Sequence, residues 1–415
     1  MFLKGTKKHR PRIRKNKEYS IVFPKWQVIG KSAANINCSH FKIFKVIFCL
    51  FRLSGIEVLS YSQTVDRESC NVNAGKFLKP RLMVFIQNGC KFTIYVGMST
   101  KILLGIAMIF YKEDKTRCLT HSFAALLTIL FYTSVYRRRQ EMMQIANTLS
   151  QLLRKIIDGT SKVKTHLFLV YSITMQVILL NTHILRYLSE NYINSNLIII
   201  SDSTNPTLYY CNELLEIFLI FASILWYIAL LIFSLYYVLT CSFIRVLLEH
   251  ILEQIDGDLF PEDLENLFLA YGEIMRFMRS VDEYFSQPVF FAIVFNMAGL
   301  FWGGYRIAFY SDMSKMYFLS LLMPQLSNLS NLLLIMVSAS FTNELASKVK
   351  CAMQCLPYRN SIQDPQRKFN FKKDLNQENS LTLWKVYVMD RSLIITSIGT
   401  LLTYGILIGT LGKNT

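Results

Sequence analysis

Six histidines, His9, His40, His121, His166, His183 and His250, stand singly along the 415 residues. No two share the spacing of a metal site, and none flanks the glutamate of a zinc-protease helix. No glycine-rich loop offers to cradle a phosphate and no nucleophile elbow offers an activated serine, so the expectation is no enzyme, no cofactor and no metal. Cys351 and Cys355 form a C-x-x-x-C that reads as two free thiols in a reducing compartment, whereas Cys118 and Cys211 share one expected outer face and could bridge. The side chains left with chemistry to do are small hydroxyls near the carboxyl terminus. At 100° per residue Ser392, Thr396, Gly399, Thr400, Thr403, Leu407 and Thr410 share an arc of about 100°. Such a stripe either lets helices pack closely or walls a water-filled pore that a ring at Leu407 could gate by dewetting.

The elements that must carry this stripe are set by composition. Apolar residues make up 52% of the chain and charged residues only 18%, which points to an integral membrane protein. A hydrocarbon core of about 30 Å asks for about 20 apolar helical residues. Seven such runs occur, at 92–110, 119–136, 167–187, 214–241, 288–310, 317–341 and 392–411. Stretches such as 217–232 are apolar on every face and do not alternate, so the runs predict helices and not barrel strands. The expected fold class is all-α, with seven transmembrane helices. Residues 41–60 are left out as a span because Lys42, Lys45, Arg52 and Glu57 fall within them. On a helix Lys42, Lys45, Cys49 and Arg52 share one face and Phe44, Phe48 and Phe51 another, which suits a helix in the membrane interface.

Lys and Arg in short loops vote on orientation. Most of the 45 fall in 1–81, 137–166, 245–284 and 346–389, and few in the alternate segments. The amino terminus is therefore expected in the cytoplasm and the carboxyl terminus outside. The run from 214 to 251 has neither Pro nor Gly and would extend about 57 Å, well past the bilayer. Extensions of this kind, at 245–285 and 346–390, predict a helical cytoplasmic anchor, so that 1–81 would be a basic tail with its interfacial helix and 82–411 the membrane domain. The formal charge of +17 is read as retention of these loops inside and contact with lipid headgroups, with no nucleic acid as partner. The sequons at Asn37 and Asn328 would lie in the cytosol and within a span.

Thr403-Tyr404, followed by the mostly apolar 405–409, resembles the carboxyl-terminal signature of insect gustatory receptors, Thr-Tyr, five hydrophobics, then Gln-Phe. Thr410-Leu411 stands where that family has Gln-Phe. Arg137-Arg138-Arg139 after the second span, Asn343-Glu344 at the inner end of the sixth, and the inside amino terminus are similar to the family more loosely. The resemblance covers about 82–411. It implies a chemoreceptor for a small-molecule tastant in the plasma membrane of sensory neurons. Such a receptor is a ligand-gated nonselective cation channel, a homo- or hetero-tetramer with related receptors, its pore lined by the last helix through Thr396, Gly399, Thr400, Thr403, Leu407 and Thr410. It also implies a ligand pocket in the outer half of each subunit, where the expected topology places His121, Asn181, His183, Trp302, Tyr305, Gln325 and Asn328. Arg306 and Glu216 would pair across it, and Lys101 has no evident partner. The competing readings are a secondary transporter, for which no matching broken half-helices are found, and a G-protein-coupled receptor, which requires the opposite orientation.

Overall fold

The computed structural model describes residues 39–56, 80–111, 115–156, 174, 178, 206–256, 261–309, 315–356 and 380–411. The expected span at 167–187, with Asn181 and His183, falls almost wholly outside the described residues, as do the tail 1–38 and the side chains of Tyr404, Leu407 and Thr410. Eight helices and one short hairpin make up the described residues. They are α1 (Ser39–Leu53), α2 (Pro80–Tyr111), α3 (Lys115–Arg137), α4 (Arg139–Ile156), α5 (Pro206–Ile255), α6 (Pro261–Phe309), α7 (Lys315–Cys355), β1 (Thr382–Leu383), β2 (Tyr387–Val388) and α8 (Arg391–Leu411). Proline opens α2, α5 and α6, where its missing N–H leaves no bond unmade. Pro288 and Pro324 instead lie inside α6 and α7. Each removes one backbone bond without ending its helix, so the helix expected to begin at 288 runs unbroken from Pro261.

Among the described residues, five helices are long and apolar enough to cross a membrane: Val84–Phe110, Cys118–Arg137, Glu213–Ile255, Leu264–Ile307 and Leu321–Cys355. The chain is a multi-pass membrane protein. α8 is apolar but shorter over its described side chains, Arg391–Thr403. The bundle direction follows from polar contacts. Tyr227 donates to Asn328 Oδ1 at 2.6 Å and Thr342 to the Cys241 carbonyl at 3.3 Å, equal steps on both helices, so α5 and α7 run parallel. Gln325 meets Gly299 and Asn331 meets Asn296, with numbers rising on one helix and falling on the other, so α6 runs antiparallel to α7.

α5, α6 and α7 are 50, 49 and 41 residues long, about 75, 74 and 62 Å at 1.5 Å per residue. The second half of α5 and the first half of α6 pack with α4 around a block of fully buried aromatics. Phe285 meets Phe233, Tyr236 and Tyr237 edge-on at centroid distances of 6.1, 5.6 and 6.4 Å. α4 was not foreseen: the arginines before it read as loop charge. Met142, Ile145, Ala146, Leu149 and Leu152 nonetheless recur at helical intervals and are buried. Its start is fixed by Tyr236, whose hydroxyl donates to the Met142 carbonyl at 2.7 Å. Tyr136, just before it, lies 4.1 Å from Lys91 Nζ and 4.2 Å from the Arg139 guanidinium, a ring between two cations.

α1 is amphipathic, with 15 residues. The phenyl face assigned to the membrane interface packs on protein: Phe44 reaches Tyr236 and Phe243, each at 5.6 Å, and Phe51 reaches Tyr236 at 6.4 Å. A ring finds the same apolar medium in a neighbouring helix as in lipid, which is why periodicity could not separate the two. The helix ends in a Schellman turn, with Ile56 N–H on the Phe51 carbonyl and Gly55 N–H on that of Arg52. Gly55 has φ 84°, and a Cβ there would stand 2.9 Å from both the Lys91 nitrogen and the Tyr132 hydroxyl. Gly55→Ala is expected to cost about 1–2 kcal/mol for the left-handed backbone alone, read as a fall in Tm of the purified chain.

Candidate functional site

α8 begins where Asp390 caps it: the carboxylate accepts from Leu393 N–H at 2.8 Å and from the Ser392 hydroxyl at 2.9 Å. The Leu393 N–H, and after it the Ser392 hydroxyl, hold this carboxyl below its usual range. A depressed folded-state pKa contributes stability above the unfolded value and loses it as pH falls through the folded one. Acid should therefore fray the first turn. Asp390→Ala is expected to cost about 1 kcal/mol at neutral pH and Asp390→Asn much less, checked by amide exchange in that turn.

Beyond its cap α8 has two unlike sides. Leu393 and Ile394 are half-buried against the chain and Ser397 is buried, while Thr396, Gly399, Thr400 and Thr403 are exposed, together with Ile395, Ile398 and Leu402. Thr400 and Thr403 each donate their hydroxyl proton to the carbonyl four residues back, Thr396 and Gly399, at 2.8 Å. The protons are thus used within the helix, and the stripe presents oxygen lone pairs outward. A wall of that kind favours cations weakly and without geometric preference.

The second group lies along the seam of α6 and α7. Asn328 is buried and holds Tyr227, and Gln325 Nε2 donates to the Gly299 carbonyl at 3.1 Å. A Cβ at Gly303 would overlap the Gln325 amide, and one at Gly299 would come within 2.5 Å of Asn328 Nδ2, so the two glycines leave the room these amides occupy. Trp302 stacks on Tyr305 at 5.7 Å and 18° on the same stretch of α6. The fold therefore brings Gln325 and Asn328 against α6, with Trp302 and Tyr305 within a turn or two of the glycines they meet. His121 is exposed near the start of α3, outside that seam. Trp302 Nε1 and Gln325 Oε1 are buried without a hydrogen-bond partner among the described residues, each a cost of about 1–3 kcal/mol until something supplies the bond.

The pair expected between Glu216 and Arg306 does not form. Both are buried, and Glu216 Oε1 has no hydrogen-bond partner among the described residues. Lys101 has a partner after all in Ser223, whose hydroxyl it meets across the seam of α2 and α5. Cys118, Cys211, Cys351 and Cys355 are all free thiols, so the conceivable outer bridge is not made. Among the described residues no cluster of His, Cys, Asp or Glu could hold a metal.

One assembly was not anticipated. β1 and β2 pair antiparallel across a three-residue turn, Trp384 to Val386, whose first two residues are left-handed at φ 48° and 58°. Asn343 on α7 closes the mouth of this hairpin. Its amide donates to the Leu381 and Met389 carbonyls at 2.9 and 2.8 Å, and its oxygen accepts from Leu381 N–H at 2.8 Å. From α6, Asp282 accepts the Thr382 N–H at 2.5 Å and its hydroxyl at 2.8 Å, and Ser286 accepts the Trp384 N–H at 3.2 Å. Glu344 pairs with Arg391 at 2.5 Å and with Lys348 at 3.4 Å. A cleft of about 620 Å³ opens beside it, lined in part by Asn343, Glu344, Lys350 and Arg391. Only the Asn-Glu pair was noticed in the sequence, because Trp-Lys carries none of the Asn-Gly chemistry that announces such a turn.

Long apolar helices, a helical base at one end of the bundle and a last helix with an uncovered side define a polytopic helical architecture. The chain has the fold of a solved insect olfactory receptor. The insect olfactory receptor OR5 from Machilis hrabei in complex with eugenol aligns at a TM-score of 0.61 and 14% identity, covering 90% of this chain and 99% of that one. A second structure of the same receptor aligns at 0.60 and 14%, covering 88% and 97%. No family model matches the chain, and no curated protein does.

Proposed function

We propose that the chain is a subunit of a gustatory-type chemoreceptor, a ligand-gated nonselective cation channel. It acts in the plasma membrane of sensory neurons, with seven spans, its amino terminus inside and its carboxyl terminus outside. Four copies, alike or mixed with related receptors, surround a pore walled by α8. The observation that carries this reading is the face of Thr396, Gly399, Thr400 and Thr403, which no helix of the described chain covers. Of the two uses of such a stripe, packing within the subunit is the one this exposure disfavours. The solved receptor with this fold was determined with eugenol, a small molecule. That supports a small-molecule tastant here, seated by Trp302, Tyr305, Gln325 and Asn328, and the partnerless Trp302 N–H and Gln325 oxygen suit a ligand able to accept one hydrogen bond and donate another.

Patch recording from cells expressing the chain is the test. Discrete unitary openings are expected, whereas saturable flux without unitary steps would mean a transporter. An epitope at Thr415 should be reached on intact cells. Once a tastant is in hand, Trp302→Ala with Gln325→Ala should shift its half-maximal dose at least tenfold, since each orphaned group is worth about 1–3 kcal/mol. An unchanged dose response would remove these residues from the pocket.

A further inference from the structure

We propose that Asn343 is a positioning residue for gating, which latches the 380–390 hairpin, and through it the inner end of α8, to α7 while Asp282 ties the same hairpin to α6. This rests on the reading that α8 walls the pore.

The hairpin is a joint and not a loose linker. Two consecutive bulky residues with φ 48° and 58° are costly, and such backbone persists only where its surroundings over-determine it. Here they do. The Trp384 ring lies 4.9 Å from Phe290 and 5.6 Å from Phe291, the Trp384 backbone N–H donates to the Ser286 carbonyl, and Val386 N–H closes the turn on the Leu383 carbonyl at 2.9 Å. Asn343 uses three of its four hydrogen-bond positions on the two strand ends, Leu381 and Met389, which are themselves joined at 3.1 Å. Asp390, next in the chain, caps α8. The bonds thus run from Asn343 through Leu381 and Met389 to Asp390 and the first turn of the last helix.

The helices that carry the latch are those that carry the proposed ligand seam. Trp302 and Asp282 are on one continuous α6, Gln325 and Asn343 on one continuous α7. Rods of this length move as bodies, so a ligand that shifts α6 against α7 at the seam shifts Asp282 against Asn343 as well. The hairpin is bonded to both and must turn with the difference, taking α8 with it. The exposed Glu344 to Arg391 pair cannot do this work alone, because exposed ion pairs are weakly held.

The full chain in lipid nanodiscs supplies a readout independent of current, namely amide exchange over 381–396. Asn343→Ala removes three bonds and should speed exchange there about tenfold, leaving the inner half of α5 unchanged. Thr382→Val, which deletes one hydroxyl, should give a smaller increase and serves if Asn343→Ala does not fold. In patches without ligand, Asn343→Ala should raise open probability about tenfold at unchanged unitary conductance, which mere loss of folded protein would not do. Unchanged exchange over 381–396 overturns the latch. Faster exchange with wild-type open probability overturns its part in gating, and faster exchange in a chain that never conducts overturns the channel reading itself, with the gating role it supports.

Discussion

Thr400→Lys is expected to reduce cation current at least a hundredfold while the amount of protein at the cell surface stays the same. Thr400 is exposed, its hydroxyl proton is used on Thr396, and it stands mid-way along the stripe of α8. In the proposed tetramer, four ammonium groups about 5 Å from the axis would each repel a passing cation by about 0.8 kcal/mol even at the dielectric of bulk water. Together they add about 3 kcal/mol to the barrier, and a narrower or drier pore makes the figure larger. Thr400→Asp should have the opposite sign and raise cation conductance. Surface biotinylation beside patch recording separates this from misfolding, and wild-type current through the lysine variant would show that the stripe does not face the ions.

The second large effect lies in the base. Phe285 is fully buried and meets three rings edge-on. Phe285→Ala should destabilise the protein by about 3–5 kcal/mol through lost transfer energy and the cavity left behind. Phe110, 80% exposed at the end of α2, has no such surroundings, and Phe110→Ala should change little. Thermal unfolding of the purified variants gives the comparison. Equal losses in the two would mean that the aromatic block does not carry the stability of the inner half.

How much of this was legible follows from what each signal measures. Long apolar runs were readable because a membrane admits few alternatives, and five of the seven expected spans correspond to helices long and apolar enough to cross. Where the chain leaves the bilayer the signal fades. α4 was hidden by the arginines at its start, whose charge reads as loop although Tyr236 and the residues from Met142 to Leu152 place it in the base. Pro288 looked like the start of a span because proline usually opens helices, yet tertiary packing carries α6 through it. For the seam, Gln325 and Asn328 of α7 reach α6 because Gly299 and Gly303 leave room for their amides, a pairing of distant positions that no local pattern announces. The Glu216 pairing failed because facing charges cannot be told from neighbouring ones by height alone. The hairpin was invisible: its bonds come from Asp282 and Asn343, far away in sequence.

The length of α5 has a thermal consequence. At about 75 Å it exceeds any hydrocarbon slab of about 30 Å, so more than half of it lies beyond the lipid tails whatever its depth, and much of that part is sealed among other helices. One rod therefore obeys two solvents. Its lipid-facing stretch is held by contacts and backbone bonds that cooling does not weaken, whereas its wet stretch depends on water being driven from apolar surface, a force with a large heat capacity that fades in the cold. Chilling should loosen the base before the spans, with slow amide exchange in the outer helices outlasting that around Phe285.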